Sequence, residues 1–261
     1  MLKIFCKNTG TFQEFQEGTT LLDMLPAFDF ERPYDILSAK VNNVAEGLKF
    51  RVFNNRDVEY LDYRSYNGRN VYCRSLSFLL CKAVRDLYPD YRVVLRRPIS
   101  KGYYCNVDKP DGNAMSEAET AAIRDHMREL VERDIPFRRH EVQVSEAIRI
   151  FKKLGYEDKV KLLRTSGDVY ITYYTLQDTA DYFYDALVPS TGLLKVWELT
   201  PTAAGCCYAY PTATPRSSSP PSPSSPRLST SSRRRTAGTA LWAWTTSATS
   251  TAPARTARPR S

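Results

Sequence analysis

The chemistry open to this chain rests on few side chains. It has two histidines, His126 and His140, and six cysteines, Cys6, Cys73, Cys81, Cys105, Cys206 and Cys207. No two cysteines form a C-x-x-C pair and their spacing is irregular, so neither a zinc knuckle nor a redox motif is predicted; reduced thiols are the expected state. Cys73 and Cys81 bracket one predicted helix with no histidine near them in sequence. Each is read as a structural thiol rather than a nucleophile. His126 falls on a charged helix and His140 in Arg138-Arg-His-Glu, and both are read as solvated. A Ser-His-Asp arrangement stays formally open, but no spacing points to one. A phosphate-cradling loop needs G-x-x-x-x-G-K-[ST], whose amides and lysine hold the phosphates. That string does not occur, nor does a Walker-type carboxylate to pair with it.

Charge excludes less than it first suggests. The 261 residues carry a net charge of +8, yet residues 199–261 hold eight arginines and no Asp, Glu or Lys. Residues 1–198 therefore hold 29 Lys and Arg against 29 Asp and Glu, a balance of zero. A neutral body argues against tight nucleic-acid binding, although local stripes such as Arg92, Arg96, Arg97 and Lys101, or Arg133, Arg138 and Arg139, keep it open. The bland reading of those stripes is a solvated face. No apolar run approaches the roughly 20 residues of a membrane span. Met1-Leu-Lys-Ile-Phe-Cys-Lys lacks the layout of a secretory signal, so a cytoplasmic location without membrane partners is expected.

The elements that must position any site fall into two groups. Leu2–Cys6 alternates with period two, and Thr11–Phe15 follows the turn at Asn8-Thr-Gly. Thr19 or Thr20 caps a short helix that Pro26 stops. Ile36–Val41 reads as a strand and Asn42-Asn-Val-Ala-Glu-Gly as a turn. That order is the order of a ubiquitin-like β-grasp domain. From about Val71, Leu76, Leu79, Leu80, Ala83, Val84 and Leu87 share one helix face. Strands Arg92–Leu95 and Tyr103–Val107 flank the turn Ser100-Lys-Gly. Ser116 with Glu119 makes a capping box, Ser145 caps a later helix that Gly155 closes, and aromatic strands Val169–Tyr174 and Ala180–Tyr184 follow. The fold class is α+β.

Composition breaks near residue 200. The remainder is Ser, Thr, Pro, Ala and Arg, and it lacks the apolar surface to offset chain entropy, so a disordered tail is predicted. A natural Pro/Ser linker with a basic end is one reading. An out-of-frame translation of GC-rich DNA is the other. Shifted by one base, Trp242–Ala254 permits M-G-V-D-D-V-G-D-F-N-R-A-C and Gly205–Pro211 permits G-M-L-L-R-I-P, both ordinary globular peptides. Poor solubility or proteolysis back to about residue 200 is expected.

The N-terminal sixty residues resemble a TGS domain. Residues from about 71 to 200 are similar to the second additional, or editing, domain of threonyl- and alanyl-tRNA synthetases. The matching strings are Tyr72-Cys-Arg-Ser-Leu-Ser-Phe-Leu-Leu, Pro98-Ile, Gly102-Tyr-Tyr, Asp134-Ile-Pro-Phe, Lys159-Val-Lys-Leu-Leu and Asp181 through Val188-Pro-Ser-Thr-Gly192. The resemblance divides the chain into a TGS-like β-grasp domain at 1–64, an editing-like α+β domain at 65–200 and a tail at 201–261. In that family H-x-x-x-H and C-x-x-x-H supply four groups able to hold a metal or activate a water against an ester. Here the positions carry Arg74, Phe78, Phe183 and Leu187, so the resemblance implies a fold kept with its hydrolytic site filled in.

A surviving pocket would be walled by Arg74, Phe78, Tyr103, Tyr104, Phe183, Asp185 and Leu187. An arginine beside aromatics suits a phosphate, carboxylate or nucleobase, hence a small ligand such as a nucleotide or an amino acid. The equal alternative is that Phe78, Phe183 and Leu187 close the cleft as core. No catalytic residue and no metal ligand is assigned. Lys40-Val-Asn-Asn-Val and Gly47-Leu-Lys-Phe-Arg-Val-Phe-Asn-Asn-Arg-Asp-Val-Glu also resemble the N-terminal half of bacterial nucleoside kinases of the uridine kinase type. That resemblance implies a ligand-binding or regulatory module whose kinase domain, with its ATP and Mg, lies outside this sequence. The alternatives are an aminoacyl-tRNA editing hydrolase or a tRNA-binding module. The oligomeric state is not legible.

Overall fold

The structure is a computed structural model and describes residues 1–99, 102–202 and 205–209. The predicted disorder after Ala209 and the turn at Ser100 and Lys101 lie outside the described residues.

The first unit is built on a hairpin, β1 (Leu2–Cys6) and β2 (Thr11–Phe15). Thr20 caps α1 (Leu21–Met24), its hydroxyl accepting the Asp23 amide at 3.2 Å. Pro26 does not end the helical path. It sits in the first turn of a 3-10 segment, Leu25–Ala27, where a missing N–H costs nothing. β3 (Ile36–Val41) then pairs with β4 (Val44–Glu46), so the predicted turn shortens to Asn42 and Asn43, both at positive φ. With β5 (Arg56–Asp62) the sheet has five strands in the order β2-β1-β5-β3-β4, and only β1 and β5 run parallel. The period-two residues Ile4, Val58 and Tyr60 meet Leu21, Met24 and Phe28 beneath this sheet. Each such burial contributes about 1.5–3 kcal/mol. This is the predicted β-grasp topology.

The second unit opens with a helix that starts at Tyr66, five residues before the apolar face read from about Val71. Its long helix α2 (Tyr66–Leu87) is capped by Ser65, whose hydroxyl accepts the Gly68 amide at 3.0 Å. Gly68 has to be glycine, because a Cβ there would lie 2.1 Å from the Asp62 carbonyl oxygen. After α2 come β6 (Arg92–Ile99), β7 (Gly102–Asp108) and α3 (Glu117–Glu132), the last opened by the Ser116/Glu119 capping box. There follow β8 (Arg138–Gln143), α4 (Val144–Lys153), α5 (Glu157–Thr165), β9 (Tyr170–Leu176) and β10 (Thr179–Asp181). The chain ends its described course in β11 (Glu198–Thr202) and β12 (Gly205–Ala209).

Two sheets organise these elements. One has the order β11-β12-β7-β6 and is packed by α2 and α3; the other, β10-β9-β8, carries α4 and α5. Three expectations need correction. Ser145 is no cap: Gln143 precedes the helix and Ser145 lies in its first turn. Arg138–Glu141, which carried no element assignment in the sequence, forms four of the six residues of β8, with Arg138, Arg139 and Glu141 exposed as expected. The strand expected through Tyr184 stops at Asp181. The ordered body also continues past residue 200, because β12 fills the gap between β11 and β7. Pro, Ser and Thr dominate the composition further along, which masked the short uncharged stretch Gly205–Ala209.

Candidate functional site

The editing-like positions sit where α2 meets the irregular segment between β10 and Val188. Phe78 is fully buried, with its ring 5.7 Å from Phe137 and 5.2 Å from Phe183. Phe183 in turn meets the Tyr174 ring edge-on at 6.5 Å, and Leu187 is buried beside them. These side chains are the cleft's filling. The expectation that they close it as core holds for Phe78 and Leu187, while Phe183 is only partly buried.

Arg74 lies one helical turn before Phe78 and is turned toward the same segment. Its Nη1 donates to Asp185 Oδ2 at 3.0 Å, and Nε and Nη2 donate to the Ala186 carbonyl at 3.3 and 3.1 Å. Burial lowers the Arg74 pKa, with Asp185, Tyr174, Cys73 and Tyr103 opposing. Tyr103 therefore belongs to the site's surroundings. Tyr104 does not: Tyr103, Cys105 and Val107 alternate toward the core, so Tyr104 is carried on the opposite face of β7. Six of the seven predicted residues are thus gathered, and Tyr104 is the one left out.

Sequence reasoning missed the residues that hold this segment in place. Ser75 accepts the Val188 amide at 2.9 Å while donating to the Val71 carbonyl. A serine set among the apolar residues of α2 was the only sequence signal, and it does not say which loop the hydroxyl would hold. From the β-grasp unit, Gly47 comes so near that a Cβ on it would lie 3.1 Å from the Ala186 Cβ. Glu46 beside it has its pKa raised, first by burial and further by Asp185, against the lowering influence of Arg139. The Arg74–Asp185 pair thus lies near a half-buried Glu46 supplied by the β-grasp unit.

Nothing gathered there resembles the family's hydrolytic apparatus. Among the described residues, no group of three or more His, Cys, Asp or Glu is arranged to hold a metal. Burial pushes the Cys73 and Cys81 thiols up to about 12, which leaves almost no thiolate at neutral pH. The histidines are engaged elsewhere rather than solvated. His126 lies 3.0 Å from Asp86 Oδ2 and 3.1 Å from Glu129 Oε2, and His140 lies 2.9 Å from Thr175 Oγ1 and stacks on Tyr173. Two surface depressions lie away from the filled cleft. One, of about 430 Å³, is lined by Lys3, Phe12 and Arg56; another, of about 510 Å³, by Asp134, Ser190 and Lys195.

The fold is a β-grasp unit followed by an α+β unit, and over most of its length the chain is similar to part of threonine–tRNA ligases. The chain is similar to the threonine–tRNA ligase of Desulforamulus reducens, at 30% identity over 200 residues, which is 76% of this chain and 31% of that protein. It is also similar to the threonine–tRNA ligases of Azobacteroides pseudotrichonymphae, at 27% over 203 residues, covering 78% of this chain and 31% of the relative. For Porphyromonas gingivalis the figures are 26% over 194 residues, 74% of this chain and 30% of the relative. The chain thus spans about a third of the length of the curated relatives it matches. No family model matches it. Among the described residues no helix is long and apolar enough to cross a membrane.

Proposed function

We infer that this chain is a synthetase-like module that binds tRNA without hydrolysing its ester. The observation that carries the reading is the filled cleft. Phe78, Phe183 and Leu187 can neither ligate a metal nor move a proton, and Arg74 is committed to Asp185 and the Ala186 carbonyl. The partner is suggested by the relatives, which bear the name threonine–tRNA ligase.

Basic groups near the seam between the two units give the RNA a place to lie. Lys49 Nζ donates to the Phe137 carbonyl at 2.9 Å, which brings it alongside Arg138. Its pKa is lowered first by burial and then by the positive charge of Arg138. Two cations held together in this way favour a phosphate between or beside them. The nucleoside-kinase reading draws no support from these relatives, and the tRNA-binding alternative replaces it as the main reading. A small ligand in the former editing pocket is likewise less favoured, because aromatic and aliphatic side chains occupy that volume.

The test is the lifetime of the ester. A panel of aminoacyl-tRNAs incubated with the chain at single-turnover excess should lose its aminoacyl group at the spontaneous rate. An acceleration of tenfold or more, retained in Phe78→Ala, would contradict the reading.

A further inference from the structure

β7 and β12 are antiparallel neighbours, and their register sets Cys105 directly opposite Cys206. Both side chains are completely buried in the same core. Residues directly opposite in an antiparallel pair point to one face of the sheet, with Cα atoms about 4.5 or 5.5 Å apart according to the pair type. Either separation falls within the roughly 4.4–6.8 Å that a disulfide spans. A third thiol stands close by, since Cys206 acts electrostatically on Cys81 of α2.

We propose that Cys105 and Cys206 are an oxidation site that closes to a cross-strand disulfide on reaction with a low-molecular-weight disulfide. One thiol loses its proton, and its sulfur attacks the reagent. The reagent's S–S bond breaks, one thiol leaves, and a mixed disulfide remains on the protein. The opposite cysteine, deprotonated in turn, attacks the protein-side sulfur and expels the second thiol. Two cysteine thiols are oxidised by two electrons to one cystine, and the reagent is reduced to two thiols.

Burial sets the conditions for this step. Neither sulfur is reached while β12 stays in the sheet, so oxidation follows local opening of that strand. Closure would then tie β12 to β7 across a loop on the order of 100 residues, the kind of loop in which a cross-link restricts the unfolded chain most. No sequence pattern points to the pair, because the two cysteines belong to elements far apart along the chain.

The test uses the full chain incubated with oxidised glutathione at mildly alkaline pH, followed by non-reducing peptide mapping. The expected product is a peptide joining Cys105 to Cys206, with a melting temperature roughly 10 °C above the reduced chain. Cys207→Ser should form the same link, which separates Cys206 from its neighbour, and Cys206→Ala should lose it. A link from Cys105 to Cys207 or to Cys81 would overturn the proposal. So would persistence of both thiols under conditions that oxidise the urea-unfolded chain.

Discussion

Arg74 shows how one substitution changes what a position does. An imidazole there would present a lone pair to a metal or a water, whereas the guanidinium has donors only. Its three hydrogen bonds hold the segment at Asp185 and Ala186. Elsewhere a single carboxylate carries a measurable pH signature. Glu119 accepts the Ser116 amide at 2.7 Å, the Tyr91 hydroxyl at 2.7 Å and the Lys109 ammonium at 3.0 Å. The Ser116 amide first, then the Tyr91 hydroxyl, hold its pKa at about 2 rather than the ordinary 4.5. A depressed carboxylate pKa stabilises the folded state above the unfolded value, and the contribution fades as the pH falls from about 4.5 towards 2. Thermal melts across that window should fall more steeply for the natural chain than for Glu119→Gln. Parallel curves would remove Glu119 from the acid transition.

At the scale of elements, long-range ties decide the architecture. Lys82 of α2 is almost wholly buried; its ammonium pairs with Asp86 and lies 2.7 Å from Asp178 in the turn between β9 and β10. The other oxygen of Asp86 lies 3.0 Å from His126 of α3. One lysine therefore joins two helices and a hairpin. Lys82→Met should cost about 2–3 kcal/mol in urea denaturation, because it leaves carboxylates without their buried cation. Asp178 has a side chain 81% exposed, so Asp178→Asn should cost less than about 1 kcal/mol. Equal losses would contradict this division.

The same scale explains what was readable in advance. Thr20 and Ser116 cap their helices as local chemistry predicts, and the alternation in β1 and β2 was plain. β8 was not, because Arg138-Arg-His-Glu has no apolar alternation; its strand form is imposed by pairing with Tyr170–Thr175. Within the site, the four motif positions were legible from the resemblance. The part played by Ser75 and Glu46 was not, since it depends on which loops the fold brings back to α2.

Across the whole molecule, the two units are fastened by polar contacts as well as by apolar packing. Lys195 reaches Asp35 at 2.9 Å, Lys49 reaches the Phe137 carbonyl, and Leu37 joins the core of the second unit. A neutral body can still bind RNA if its cations are gathered at one seam rather than spread evenly. The most direct measurement is the equilibrium binding of tRNA at low and at physiological salt, with the Lys49→Ala/Arg138→Ala double variant alongside. The expected result is a Kd of about 10 µM or tighter at low salt that weakens as salt rises. The double variant should bind roughly tenfold more weakly, with a shallower salt dependence. Absence of binding by the folded natural chain at low salt, or a double variant that binds as well as it does, would contradict the account.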